Sequence, residues 1–370
     1  MLSDPYANAF LSIDPLGPIA LANVQSGGNG GGAGNGDRTF RRGFLGSKIP
    51  AMSVNLHERK FEVDSLCAVL KLSVAYFEST NDSTPFSSNK EWLPSVITIL
   101  DTLEVQQHGT SEEMGSRGFS YWFSRHSTLK SETLQDDGRY CSPARRTGMV
   151  KTAFRPSDDS CVFSFNIAQN AMCVVNLRKI AQILKDQLAQ EQVANRALRL
   201  ADEIDTAIRT YGIVRVSFPT QQDIYAYEVD GYNSFITMDD ANVPSLLSLP
   251  YLGYTSKTDP IYLATRKWLL STYNPYYFEG SQFYGIGSPH TGWDNVWPMS
   301  IIMQALTSTS DQEILDCLRM LRDSSTNDFV HESFNKNNPA QYSRSWFAWA
   351  NSLFGELILT LAREKPHLIF

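Results

Sequence analysis

The chain has 370 residues, of which 42% are hydrophobic, 19% charged and 12% aromatic, a globular profile that excludes disorder and collagen-like fibres. Lys and Arg number 32 against 39 Asp and Glu, a formal charge of −7. This argues against a nucleic-acid backbone or an anionic membrane surface as main partner, because both need clustered cations. A neutral or cationic small substrate fits better.

In chain order, the first distinctive segment is Ser26 to Gly36 (SGGNGGGAGNG). No Gly-Lys-Ser/Thr follows it, no strand-like run precedes it and its glycines miss the dinucleotide spacing, so a flexible loop at about 26–36 is expected rather than a phosphate cradle. From Asp64 onward apolar residues recur at helical spacing, as in Leu66, Val69, Leu70, Val74 and Phe77. The pattern predicts helices near 63–78, 90–107, 112–126, 164–187, 190–210, 240–249, 258–271, 295–308, 311–323 and 345–362. Strand candidates lie only near 212–217 and 224–229.

The expected fold class is therefore all-α. No period of 20 to 50 residues is visible, which disfavours a tandem-repeat solenoid. The helix connections are long and rich in aromatics, Gly, Pro, Asp and His. Such loops suit a toroid of paired helices around a central pocket better than an inert bundle. No window approaches eighteen uninterrupted apolar residues, and the N-terminus shows no positive region followed by an apolar stretch.

Four connections bring carboxylates beside aromatics: Asp158-Asp159, Glu228 with Asp230, Asp239-Asp240, and Glu332 after His331. Paired carboxylates beside stacking residues are what glycoside hydrolysis needs, since one protonates the leaving oxygen while the other activates water or attacks. By spacing alone, a helix N-cap is the favoured reading of each Asp-Asp pair, since Asp accepts the free first-turn amides. The aromatics interleaved with Gly, Pro and Asn in 273–297 are expected to line a pocket. Trp349, inside an amphipathic run, is expected in the core, and Glu356 in the same run is either an anchor or a site candidate.

Five cysteines, Cys67, Cys141, Cys161, Cys173 and Cys317, show no Cys-x-x-Cys pair, so neither a disulfide scaffold nor a Cys-type zinc site is expected. His57, His290 and His331 sit near carboxylates without an HExxH or His-x-His spacing, and no EF-hand loop is present, so no metal is assigned. A Gly-x-Ser-x-Gly elbow is also missing.

The motifs DPYANAF (4–10), ERKFEVDSLC (58–67), FRPSDD (154–159), MDDANVPSLLSLPYLG (238–253), GIGSPHT (285–291), WPMSIIMQ (297–304), HESF (331–334) and WFAWANSLFGE (346–356), in this order, resemble glycoside hydrolase family 125, the exo-α-1,6-mannosidases. The resemblance runs from residue 4 to about 362. It implies a single catalytic domain over 1–370, an (α/α)6 barrel, and cofactor-free, metal-independent, inverting removal of a terminal α-1,6-linked mannose from a mannose-containing glycan by a monomer.

By matching motifs, Asp159 is implied as the general acid and Glu332 as the general base. Asp158 is the rival for the acid role, a choice one sequence leaves open. An inverting pair should lie roughly 6.5–9.5 Å apart, with room for a water. Arg155, Asp158, Glu62, Asp64, Asp240, His290 and Arg344 are the implied sugar-binding or orienting residues.

Family members carry, upstream of DPYANAF, a segment resembling GDIPAMWLRDS. Here Ile49-Pro50-Ala51-Met52 echoes it without the Trp-Leu-Arg-Asp, so the barrel is expected to be incomplete at its N-terminus. Two competing expectations follow: a catalytically inactive homologue retaining at most sugar binding, and an (α/α)6 hydrolase of another glycan. The compartment stays unknown; the resemblance points to the secretory pathway if an upstream anchor was lost, and the one sequon, Asn81-Asp82-Ser83, is compatible with that.

Overall fold

The computed structural model describes residues 4–7, 59–116, 120–123, 134 and 142–370. The glycine-rich stretch at 26–36, Ile49 to Met52 and His57 lie outside the described residues. The chain divides into two compact units, one formed by residues 1–212 with 228–235 and the other by 213–227 with 236–370. Among the described residues there are ten α-helices and four small sheets.

In the first unit α1 (Val63–Thr80) buries Val63, Leu66, Cys67, Leu70 and Val74, a stripe at i, i+3, i+4, i+7 and i+11. It stops at Asn81, whose φ of 53° is left-handed and whose N–H reaches the Phe77 carbonyl. After the one-turn α2 (Thr84–Ser88) come α3 (Trp92–Val105) and α4 (Thr110–Ser116). The predicted helix at 112–126 is therefore shorter: residues 120–123 are not helical. Helix α5 (Ile167–Asp186) is the core of this unit, buried on nearly every side and capped by Asn166, whose side chain accepts the Gln169 N–H at 3.0 Å.

Helix α6 (Glu191–Ala207) presents Ala194, Ala197, Ala201 and Ala207 inward, and these small side chains let it lie close along α5. Helix α1 packs on α5 as well, where the free thiols of Cys67 and Cys173 meet with their sulfurs 2.7 Å apart. Strands β1 (Phe165–Asn166) and β4 (Glu228–Val229) pair antiparallel, and β5 (Phe235–Ile236) follows β4 in the chain.

The second unit opens with the hairpin of β2 (Ile213–Val216) and β3 (Gln222–Tyr225); β2 lies at the strand predicted near 212–217, whereas the one predicted at 224–229 divides between the end of β3 and the separate β4. Helix α7 (Pro260–Leu269) is capped by Asp259. Strands β6 (Tyr277–Glu279) and β7 (Tyr284–Ile286) form a second hairpin. Strands β8 (Asn295–Val296), β9 (Phe334–Asn335) and β10 (Asn338–Tyr342) form a sheet in the order β10-β9-β8. Helix α8 (Pro298–Thr307) is buried over all ten residues, with α9 (Asp311–Ser324) and α10 (Ala348–Glu364) packed against it.

The helix predicted at 240–249 does not form; that segment is a series of turns. Pro244 has no N–H to give a helical ladder, and side chains take over the remaining donors. Asp239 accepts the Leu246 and Leu247 N–H groups at 2.9 and 3.0 Å, while Ser245 and Ser248 exchange backbone and hydroxyl bonds. Neither Asp-Asp pair caps a helix. Trp349, expected in the core, is 37% exposed. Glu356 is exposed and accepts the Tyr251 hydroxyl at 3.0 Å, the anchor reading of that residue.

Candidate active site

The first unit gathers Glu62, Asp64, Arg155, Asp158 and Asp159. Their placement begins with the loop FRPSDD. Pro156 occupies the second position of a turn in which the Asp158 N–H reaches the Arg155 carbonyl at 3.0 Å, and the Arg155 N–H then reaches the Asp159 carbonyl at 2.7 Å. Asp158 takes a left-handed φ of 75°, which Asp tolerates better than most side chains. The two neighbours are thereby turned to different environments. Asp159 is 1% exposed, whereas the Asp158 side chain is 38% exposed and pairs with Lys60 Nζ at 3.2 Å.

Arg155 donates from Nε to Glu228 Oε1 at 2.6 Å, and both side chains are buried. The other Glu228 oxygen accepts the Val162 and Phe163 N–H groups at 2.9 and 3.1 Å. Glu228 is thus a structural carboxylate that clamps the base of the acidic loop, and Arg155 is its buried counter-ion.

Glu62 is the N-cap residue of α1 and Asp64 lies in its first turn. Glu62 accepts the Ser65 hydroxyl on Oε2 at 3.0 Å, while Glu62 Oε1 and Asp64 Oδ1 are enclosed without a hydrogen-bond partner among the described residues. Burial, followed by the charges of Asp64 and Asp158, holds the Glu62 carboxyl well above the usual carboxylate range. Burial likewise pushes Asp64 up to about 7. Carboxyls of this kind can both donate to and accept from hydroxyl groups, which is what a sugar requires.

Lys60 is a member of this group that the motifs do not mark. Its ammonium is 1% exposed, lies 4.9 Å from the Phe154 ring centroid and meets Asp158. The usable signal is the alternation of charged and apolar residues in KFEVD, whose Phe61 and Val63 are fully buried in the core.

The second unit gathers Asp240, His290, Glu332 and Arg344 along a continuous chain of contacts. The Ala241 N–H reaches the Gly287 carbonyl at 3.1 Å, joining the Asp239-Asp240 turn to the loop that carries His290. Gly287 also lets Asn295 and Phe278 pack against this loop, because a Cβ there would stand 2.2 Å from the Asn295 carbonyl oxygen. Ser288 caps the short turn Pro289–Thr291, and the His290 ring meets Trp297 edge-on at 6.5 Å. Trp297 touches Phe347 at 6.1 Å, and the Arg344 guanidinium lies 5.3 Å over the Phe347 ring.

Arg344 closes the chain. Its Nε is 3.1 Å from Glu332 Oε1, and the Ser343 hydroxyl donates to Glu332 Oε2 at 2.7 Å. Both oxygens of a buried carboxylate are therefore held by donors. Trp293 is 68% exposed and stacks on Tyr276 at 5.6 Å with the rings 16° apart, a flat surface held in place.

Asp240 is buried and accepts from the Asn242 side-chain amide at 3.2 Å. Its neighbour Asp239 is the stronger electrostatic case: burial, only partly offset by the two backbone N–H bonds, pushes it up to about 8. A carboxyl that ionises less readily folded than unfolded binds its proton more tightly in the native state. Asp239 therefore supports the fold fully below the ordinary aspartate pKa of about 3.9, and withdraws that support as pH rises towards about 8. Denaturant titrations should show stability falling through this window by at most about 1.4 kcal/mol per pH unit from this group. Asp239→Asn should remove that slope; an unchanged pH profile would contradict the assignment.

Among the described residues no three His, Cys, Asp or Glu side chains are grouped as metal ligands, and no helix is long and apolar enough to cross a membrane.

The sequence matches the family described as metal-independent alpha-mannosidase (GH125) over residues 1–359. It is 45% identical over 316 residues to the Meiotically up-regulated gene 157 protein of Schizosaccharomyces pombe, covering 84% of this chain and 61% of that protein, so the chain spans about three-fifths of the length of this relative. Its structure is similar, with a TM-score of 0.79 and 36% identity, to a Streptococcus pneumoniae metal-independent alpha-mannosidase solved as a non-productive substrate complex with alpha-1,6-mannobiose. The match covers 85% of this chain and 72% of that one. With a match that runs over nearly all of its length, the chain belongs to the metal-independent alpha-mannosidases of glycoside hydrolase family 125, glycosidases that are hydrolases by class.

Proposed function

We propose that the chain removes terminal α-1,6-linked mannose from mannose-containing glycans, with inversion, and that residues 1–370 act as one catalytic domain. Asp159 is the general acid that protonates the glycosidic oxygen. Glu332 is the general base that takes a proton from the water attacking the anomeric carbon. Glu62, Asp64, Asp158, Asp240, His290 and Arg344 bind or orient the sugar, and Arg155 positions the acidic loop. The observation that carries this reading is the setting of Glu332, a buried carboxylate gripped on both oxygens by Arg344 and Ser343 within a HESF motif. The linkage rests on likeness to the pneumococcal structure that holds alpha-1,6-mannobiose.

The helix arrangement supports an (α/α)6 barrel as the fold. In each unit a largely buried helix, α5 or α8, is followed by an amphipathic partner, α6 or α9, as expected of inner and outer members of a pair. The test is to incubate the protein with α-1,6-, α-1,2- and α-1,3-linked mannobiose and follow the anomeric protons of released mannose by NMR. Selective α-1,6 cleavage with β-mannose appearing first is expected. Release of α-mannose first would overturn inversion, and preference for another linkage would overturn the substrate assignment.

A further inference from the structure

We infer that His331 is a positioning residue for the general base: its imidazole pins the strand end whose Ser343 and Arg344 hold Glu332. The inference rests on the assignment of Glu332 above and adds a residue with no direct contact to that carboxylate.

His331 is 1% exposed. Its Nδ1 lies 3.0 Å from the Arg344 carbonyl and 3.1 Å from the Ser345 carbonyl. Carbonyl oxygens only accept, so Nδ1 carries the proton and donates to this pair. On the neutral ring Nε2 is then an acceptor, and the Thr326 hydroxyl faces it at 3.4 Å. The ring also stacks on Tyr342, with centroids 3.9 Å apart and planes 9° apart. One buried ring thus touches residues 342, 344 and 345, while the next residue in the chain, Glu332, is held by 343 and 344.

Other bonds hold the residues on either side: the Ser343 N–H reaches the Ser333 carbonyl at 3.1 Å, the Ser333 and Ser343 hydroxyls meet at 2.9 Å, and the Asn327 amide donates to the Ser345 carbonyl at 3.0 Å, while the Arg344 carbonyl between them is met by His331. Strand β10 pairs irregularly with β9, with a register shift between Asn338 and Tyr342, and residues 338–345 are largely exposed. The Arg344 side chain is itself 56% exposed, so its solvated, flexible stem does not fix the guanidinium. The tie from His331 to the Arg344 carbonyl sets the orientation of the peptide from which that side chain reaches Glu332.

Three substitutions separate the donor from the ring. His331→Phe keeps a ring against Tyr342 and loses the donor. His331→Asn loses the ring but places an amide N–H near the Nδ1 position, and His331→Gln places one near Nε2 instead. On an aryl α-mannoside, H331F should lower kcat roughly 10- to 100-fold with KM within about twofold, because displacement of a catalytic group by about 1 Å costs that much. H331N should recover most of the loss and H331Q should not. In a Ser343→Ala/Arg344→Ala background, H331F should cost less than about threefold more, since the groups it positions are gone. A full additional loss there, or equal activity of H331N and H331Q, would overturn the inference; the Asn and Gln pair decides if H331F fails to fold.

A readout independent of turnover is the Arg344 Nε–H resonance. It should move to the solvent-exposed position in H331F and H331Q and stay in place in H331N. That pattern in a protein without mannosidase activity would refute the proposed function and leave the positioning role standing; an unmoved resonance in all three would refute the role.

Discussion

Replacing Glu332 by Gln, or Asp159 by Asn, is expected to lower kcat on mannobiose roughly 10²- to 10⁴-fold while circular dichroism and melting stay close to the parent. Each amide preserves the shape of the side chain. In Glu332→Gln the amide oxygen would still accept the Ser343 hydroxyl, but the side chain could not take a proton from water. In Asp159→Asn the amide could not deliver a proton to the leaving oxygen. The leaving group separates the two roles. A dinitrophenyl mannoside departs without protonation, so Asp159→Asn should regain most of its rate on that substrate, whereas Glu332→Gln should remain slow. Asp158→Asn serves as the internal control. Asp158 is half-exposed and engaged by Lys60, while Asp159 is buried, so the leaving-group rescue is expected for Asp159 alone. Rescue in Asp158→Asn would exchange the two assignments, and no loss in either the Glu332 or the Asp159 variant would end the mechanism.

Glu228→Ala should be the most destabilising single substitution in the first unit, by about 3–5 kcal/mol in denaturant unfolding. The carboxylate is fully buried and engages three donors: Arg155 Nε and the N–H groups of Val162 and Phe163. Its loss removes the acceptor of the buried Arg155 Nε and of two backbone amides at once. Arg155→Met combined with Glu228→Leu removes both charges and should recover part of the loss, though the two amides still lose their carboxylate acceptor. Because Arg155 opens the loop that carries Asp158 and Asp159, Glu228→Ala should also reduce kcat beyond what unfolding explains, measured well below the transition temperature. A cost under about 1 kcal/mol would mean that water replaces the carboxylate and that the pair is not structural.

Much of the fold and family was legible along the chain. The stripe in α1, the helical runs that became α5 to α10 and the strand at 213–216 are local periodicities, so short windows suffice to find them. The ordered motifs from DPYANAF to WFAWANSLFGE likewise carried the family, with its candidate acids and base. What the sequence could not contain is which group meets which across long separations. The Asp239 carboxylate, Pro244 and two serines overrode a helical pattern at 240–249 by taking up the backbone donors. Glu228 and Arg155, 73 residues apart, both read as site candidates and proved to be a buried pair. Asp158 and Asp159 were equivalent in sequence until a left-handed turn sent one towards Lys60 and buried the other. Ser343, Arg344 and His331 became parts of one grip on Glu332 only when strand pairing brought β10 back to β9. Propensity and spacing act over a few residues, and the roles of these side chains are set by desolvation and by neighbours that only the folded backbone supplies.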